Sequence, residues 1–139
     1  MRSSLGNAIA RLFRLVNRAH GRALKPHEVS TEQAHILSIL WIEGPLAIGR
    51  LQRMLALSSP TLTGALDRME SQGLVRRVPS PEDRRVSLIE PRVPPKHRAR
   101  IEATVDTSEA QLFSALTQAE RKDLLRLLDK CIAKLDAQD

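Results

Sequence analysis

The sequence predicts a mostly α-helical (α+β) protein with one small β-hairpin, and three observations lead to this fold class. Hydrophobic residues make up 42% of 139 positions, yet there are only two Phe, one Trp and no Tyr, which favours an aliphatic helical core. Apolar residues recur at helical spacing along most of the chain. Residues 74–89 are the exception, because two β-rich runs there flank a proline-containing turn. The length fits one unit, residues 1–139.

The first two helices have clear ends. An amphipathic helix is expected over about residues 5–24, with apolar residues on one side and arginines mostly on the other, and Pro26 ends it. Ser30 or Thr31 then caps a second helix, which stops at Gly44.

Two shorter helices follow, separated by a break of a few residues. The third is expected over about 47–56, and the fourth over about 59–72, beginning after the cap Ser58 and stopping at Gly73. The side chains expected to face inward are Ile48, Leu51, Met54 and Leu55 in the third helix, and Leu62, Ala65, Leu66 and Met69 in the fourth.

The chain then becomes β-rich and returns to helix. The runs 74–78 and 86–89 predict a hairpin with a long, charged tip. From about residue 95 one long helix is expected, and Thr117 with Glu120 forms a capping box that opens the last helix.

This order of elements predicts a winged helix-turn-helix over residues 30–92, because short helices precede a basic hairpin. The helices at 5–24 and 95–136 are too apolar to leave bare, so they are expected to form a homodimer interface with two-fold symmetry. A monomer in which they cover their own core is the alternative. A dimer would place two recognition helices about 34 Å apart and predict an inverted-repeat DNA site.

The charge distribution also indicates double-stranded DNA as a partner. The net charge is +6 and the pI near 10.4. Residues 1–25 contain six Lys or Arg and no acid, and residues 76–100 contain eight against three acids. Such basic segments are typical of proteins that bind a polyanion.

The fourth helix is the expected recognition helix, since an α-helix fits the major groove and an arginine-tipped hairpin can reach the minor groove. The alternative is an ordinary solvated helix face. The residues on its exposed side are Ser59, Thr61, Thr63, Gly64, Asp67 and Arg68.

Residues 57–77, Leu-Ser-Ser-Pro-Thr-Leu-Thr-Gly-Ala-Leu-Asp-Arg-Met-Glu-Ser-Gln-Gly-Leu-Val-Arg-Arg, and the following Pro81-Glu82-Asp83-Arg84-Arg85 resemble the recognition helix and wing of the MarR family. The resemblance implies a dimeric repressor that a small ligand releases from its operator. It also implies that Arg85 enters the minor groove, that Asp83 holds the wing through an arginine such as Arg77, and that Thr61, Thr63 and Arg68 face the major groove. Arg84 adjoins these wing-tip residues.

Three positions depart from the family pattern. Gly64 stands where many members have an arginine, so a common base contact is missing. Pro91 cannot donate a hydrogen bond within a strand, which limits the length of the wing. His97 stands where a turn glycine is usual. A different operator, or a winged protein-interaction module that has lost DNA binding, is compatible with Gly64.

An effector site is expected between the dimerisation helices and the winged unit, as the resemblance implies for small aromatic acids. The candidate lining residues are Arg14, Asn17, Arg18, His35 and Trp41. The positive first helix suits an anionic ligand, although a solvated basic face or a contact to the DNA backbone explains it equally well.

Other classes of site find no support in the sequence. His27-Glu28 lacks the second histidine of a zincin, because Thr31 occupies its place, and no metal or cofactor is expected. No glycine-rich phosphate loop, nucleophile elbow or carboxylate pair indicates an enzyme. Cys131 is expected to pack on an apolar helix face, and a single cysteine without a signal peptide or membrane span favours the cytoplasm. A nonspecific architectural DNA-binding protein remains an alternative.

Overall fold

The computed structural model describes residues 4–138 and places six α-helices, a 3-10 helix and a three-stranded sheet in them. The helices are α1 (Leu5–Leu24), the 3-10 helix (Lys25–His27), α2 (Thr31–Glu43), α3 (Ile48–Leu55), α4 (Ser59–Ser71), α5 (Pro95–Leu112) and α6 (Gln118–Asp136). The strands are β1 (Leu46–Ala47), β2 (Val75–Pro79) and β3 (Ser87–Pro91). This is the winged helix predicted from the sequence.

The predicted helix ends are confirmed by their hydrogen bonds. Ser30, rather than Thr31, caps α2, and its hydroxyl oxygen accepts from the Gln33 backbone N–H at 3.1 Å. Thr117 and Glu120 form the capping box of α6, and the backbone contacts of Thr117 lower the pKa of Glu120. Ser30 with Gln33, and Thr117 with Glu120, thus satisfy backbone N–H groups that have no partner inside the helix.

Most of the core lies in the winged unit, and Leu24 of α1 and Ile101 of α5 complete it. The inward stripe of α4 is buried as predicted, with Leu62, Leu66 and Met69 fully covered. The expectation that Met54 faces inward is wrong, because its side chain is 42% exposed. In α3 the buried centre is Leu51, and Met54 lies about 60° away around the helix axis, at the rim of the inward face.

The sheet is antiparallel with strand order β1-β3-β2, and it contains one strand that the sequence did not indicate. Strand β1 has only two residues, too few to produce an alternating pattern, and its Leu46 pairs with Ile89 of β3. Strand β3 ends at Pro91, which lies opposite Val75, as the missing proline N–H predicts.

The terminal helices are covered much less. Helix α1 packs along α5, but α6 buries none of its residues. Within residues 4–138 no helix is both long and apolar enough to cross a membrane. Cys131 is exposed, so the expectation that it packs on an apolar face is wrong for the single chain. Helices α1 and α6 carry apolar residues that are more than half exposed: Leu5, Ile9, Phe13, Leu125, Ile132 and Leu135.

Candidate nucleic-acid interface

The amino terminus of α4 is held by its cap. The Ser58 hydroxyl oxygen accepts from the Thr61 backbone N–H at 3.3 Å, and the hydroxyl donates to Thr61 Oγ1 at 2.7 Å. Pro60 lies in the first turn, where its missing N–H costs no helical hydrogen bond. The Thr61 hydroxyl therefore has a fixed position at the start of the helix.

The opposite side of α4 from its buried stripe is open to solvent. The predicted recognition residues lie on it: Ser59, Thr61, Thr63, Asp67 and Arg68 are exposed, and Gly64 is half-buried. At 3.6 residues per turn, Gly64 and Asp67 lie at the centre of this exposed side, and the other four residues lie on its two flanks.

A glycine turn places the wing beside α4. Gly73 has a φ of +75°, in the left-handed region that favours glycine. The Leu74 N–H donates to the Met69 carbonyl at 2.9 Å, and the Gly73 N–H to the Glu70 carbonyl at 3.1 Å. These bonds close the end of the helix and turn the chain directly into β2.

Arg77 of β2 ties the wing to the recognition helix. Its Nη1 lies 2.7 Å from Glu70 Oε1 and its Nη2 lies 2.8 Å from Asp67 Oδ1. Its backbone N–H also donates to Glu70 Oε2 at 3.2 Å. We call this cluster of Asp67, Glu70 and Arg77 the helix–wing latch. It fixes the wing base and neutralises two carboxylates that would otherwise repel phosphate.

The expected pairing of Asp83 with Arg77 is wrong, because Asp83 instead holds Arg85. Asp83 Oδ1 accepts from Arg85 Nε at 3.0 Å and from its backbone N–H at 3.1 Å, and Oδ2 accepts from Nη2 at 3.1 Å. A turn at the tip, closed by the Val86 N–H donating to the Asp83 carbonyl at 2.9 Å, brings the two side chains together. Arg77 lies at the base of the wing, within reach of α4 rather than of the tip.

The tip presents a positioned cation to solvent. The Arg85 side chain is 91% exposed. The hydrogen bonds from the Arg85 side chain, and then from its backbone, lower the pKa of Asp83, and the same side-chain contact raises the pKa of Arg85. Arg84 beside it is also exposed. These shifts favour the charged forms of Asp83 and Arg85.

The five candidate effector residues do not converge on one cavity. A groove between the end of α1 and the start of α2 includes Asn17, whose carbonyl accepts from the Thr31 hydroxyl at 3.1 Å. The charged residues that line this groove are Lys25, Glu28 and Glu32. Trp41 lies ten residues further along α2, with the Arg98 guanidinium 5.0 Å from its ring centre. The side chains of Arg14, Arg18 and His35 are exposed.

The sequence analysis did not predict a contact between two histidines near the start of α5. His97 Nε2 lies 3.1 Å from the His27 carbonyl oxygen, and His27 Nε2 lies 2.8 Å from Thr104 Oγ1. Because a carbonyl only accepts, His97 Nε2 carries a proton. Seventy positions separate the two histidines, so no local motif could have indicated the contact. In the described part of the chain no group of three or more His, Cys, Asp and Glu could hold a metal.

Comparisons with known proteins agree with this geometry. A family model described as the MarR family matches residues 29–87. The HTH-type transcriptional regulator MgrA of Staphylococcus aureus is 32% identical over 124 residues, which cover 88% of this chain and 84% of MgrA. A mutant of MarR from E. coli, solved in complex with operator DNA, has a TM-score of 0.77 and 26% identity, covering 91% of this chain and 92% of that one. CouR from Rhodococcus jostii RHA1, bound to p-coumaroyl-CoA, shares the fold with a TM-score of 0.80 at 22% identity, covering 94% and 92%.

Proposed function

The chain belongs to the MarR family of transcriptional regulators, and on that premise we propose that it is a homodimeric repressor that binds an inverted-repeat operator. The observation that carries the proposal is the joint presentation of two DNA-reading parts. The exposed face of α4 and the exposed Arg85 are held together by the helix–wing latch. In this role α4 enters the major groove and Arg85 enters the adjacent minor groove.

The roles of the individual residues follow from their position. The hydroxyls of Ser59, Thr61 and Thr63 lie near the amino terminus of α4, where they meet base edges or phosphates. Arg84 lies beside Arg85 at the tip and contacts the backbone. Together these groups hold one half-site.

The dimer part of the proposal is supported by the uncovered apolar surface of α1 and α6. Ile9, Phe13, Leu125, Ile132 and Leu135 are each more than half exposed in the single chain. Isolated apolar side chains are common on surfaces, but several large ones on two helices, one of which buries none of its residues, are typical of an interface. A second copy would cover it and place two α4 helices about one turn of DNA, roughly 34 Å, apart.

The test compares binding to an inverted repeat with binding to scrambled DNA of equal length at one fixed salt concentration. The inverted repeat is first obtained by footprinting the adjacent upstream DNA, because many repressors act on their own promoters. We expect a ratio of affinities of at least about 1,000. A ratio near one would instead support the nonspecific architectural class, and no binding to either would support the protein-interaction module.

Arg85→Ala tests the wing within the same assay. We expect affinity for the operator to fall about 10- to 100-fold while the protein stays dimeric, because the minor-groove contact is lost without a change in folding. Arg126→Ala on α6 is the matched control, since Arg126 is an exposed arginine outside the winged unit. Unchanged affinity of Arg85→Ala would contradict the wing assignment.

We further propose that a small anionic aromatic ligand releases the repressor by binding beside α1. The groove that includes Asn17 contains Lys25 and adjoins the arginine face of that helix, and these cations outnumber its two acids, Glu28 and Glu32, which supports this placement. Benzoate and its neutral counterpart benzamide are suitable probes. We expect benzoate alone to weaken operator binding, and Arg18→Ala to reduce its effect. Equal effects of the two compounds would count against an anion site. Such a regulator acts in the cytoplasm, where the chromosome lies.

A further inference from the structure

Arg68 is the one basic residue of α4, and its guanidinium lies over a glycine. Arg68 Nη1 lies 3.5 Å from the position that a Cβ atom on Gly64 would occupy. Helical side chains lean towards the amino terminus, so Arg68 reaches the residue four positions earlier. Gly64 has no left-handed backbone, and glycine weakens a helix relative to alanine. What Gly64 provides is therefore space above the helix rather than a turn.

The position of Gly64 on the helix makes this space important. At 3.6 residues per turn, Gly64 lies on the outermost line of α4, opposite the buried stripe, together with Pro60, Asp67 and Ser71. Arg68 begins on one flank of that line. By extending across Gly64, its guanidinium moves towards the outermost line. A helix in the major groove turns this line to the base edges and its flanks to the phosphates of the walls.

The charges around Arg68 leave its guanidinium available. The neighbouring carboxylates of Asp67 and Glu70 are both held by Arg77 in the helix–wing latch. Within residues 4–138, Arg68 takes part in no ion pair, and its side chain is exposed. The latch thus leaves one unpaired cation on the DNA-facing side of the helix.

We propose that Arg68 reads one guanine in each half-site of the operator, and that Gly64 is the gap that permits it. A planar guanidinium donates two parallel hydrogen bonds to O6 and N7 of guanine, a pattern that no other base presents in the major groove. A phosphate contact would add affinity without sequence preference. This inference rests on the proposed function, because it concerns the same face of α4.

The experiment selects binding sites from a pool of random 30-base-pair duplex DNA with the full-length protein. For the wild type we expect an inverted repeat with one strongly preferred guanine in each half. Arg68→Ala should lose that preference at both symmetric positions, with discrimination against the other bases falling about 10-fold or more. Arg68→Lys should keep the charge but lose most of the preference, since lysine has no planar fork. Arg126→Ala should select the wild-type site.

Two substitutions of Gly64 test the gap itself. Gly64→Ala brings its Cβ only into ordinary contact with Arg68, so it should retain the guanine preference. Gly64→Leu fills the space and should lose the preference as Arg68→Ala does. If Arg68→Ala keeps the preferred guanine, or loses affinity equally for all sequences with a shallower salt dependence, the inference is overturned and the proposed function stands. If the wild type enriches no sequence, both are overturned.

Discussion

The winged unit and the terminal helices differ in how completely one chain covers their apolar surface. In the winged unit Ile36, Leu37, Leu51, Leu66 and Ile89 are fully buried. Helix α6 buries none of its residues, although it too is rich in leucine. The difference shows that the chain alone provides the core of the winged unit but leaves α6 uncovered, which is the surface that a second chain covers in the proposed homodimer.

This comparison separates two kinds of stability. Burial within a chain contributes the same free energy of unfolding at every protein concentration. The stabilisation from burial between chains increases with protein concentration, because more of the protein is then associated. Substitutions in the two regions should therefore differ in how their effects depend on dilution, and Leu66→Ala and Ile132→Asp test this difference.

Leu66→Ala should have the largest effect on folding. Leu66 is fully buried in α4, so its truncation leaves a cavity in the core and should lower the free energy of unfolding by about 2–5 kcal/mol. Urea unfolding followed by circular dichroism at two protein concentrations would measure it. We expect the same loss at both. Leu135→Ala on α6 is the matched control, and its loss should be smaller and appear mainly in the concentration-dependent part. A loss below about 1 kcal/mol for Leu66→Ala would contradict the described core.

Ile132→Asp should break the dimer without unfolding the winged unit. Ile132 is 53% exposed in the single chain, so an aspartate there costs the monomer little, but the dimer would have to bury its charge. We expect the dimer dissociation constant to rise at least about 100-fold, near 3 kcal/mol, by sedimentation equilibrium. Lys130→Asp on the polar side of α6 should leave assembly unchanged. A dimer that survives Ile132→Asp would show that α6 is not its interface.

The winged unit shows both what the sequence could predict and what it could not. Its helices have strong local signals, such as the Ser58 cap, the stripe through Leu62 and Leu66, and the stop at Gly73. Strand β1 was missed because two residues form a strand only when β3 lies beside them. The true partners of Arg77 were missed for the same reason. Which carboxylate an arginine reaches depends on how α4 and β2 pack, and nearby positions along the chain do not determine this.

Arg77→Met tests whether the two parts of the winged unit must be held together. It removes both ion pairs of the helix–wing latch and leaves Asp67 and Glu70 uncompensated. Operator affinity should fall about 10-fold, while stability changes by about 1 kcal/mol because both carboxylates remain exposed to solvent. Arg76→Met is the matched control, since Arg76 pairs with Glu90 across the sheet, away from α4. Equal affinities of the two variants in a binding assay would argue against the latch.

Asp83→Asn should have the smallest effect. The amide keeps one acceptor for Arg85 but loses the charge, so we expect operator affinity to fall about two- to five-fold, as for a weak exposed pair.

The pH dependence of operator affinity tests whether the charged form of Asp83 holds Arg85. The pKa of Asp83 is lowered in the folded protein, so its contribution is complete above the unfolded value of 3.8 and is lost only as pH falls through the lower folded value. The ratio of wild-type to Asp83→Asn affinity should therefore stay constant between pH 8 and about 5. A ratio that approaches one by pH 5 would mean that Asp83 titrates too early to hold Arg85.

The stacking of Arg98 of α5 on Trp41 of α2 has a practical consequence, because Trp41 is the sole tryptophan of the chain. Ultraviolet emission from the protein therefore originates at the contact between α2 and α5. Any ligand or substitution that opens this contact alters the surroundings of that indole. The wild-type protein thus carries an intrinsic fluorescent reporter of the α2–α5 contact, with no attached dye.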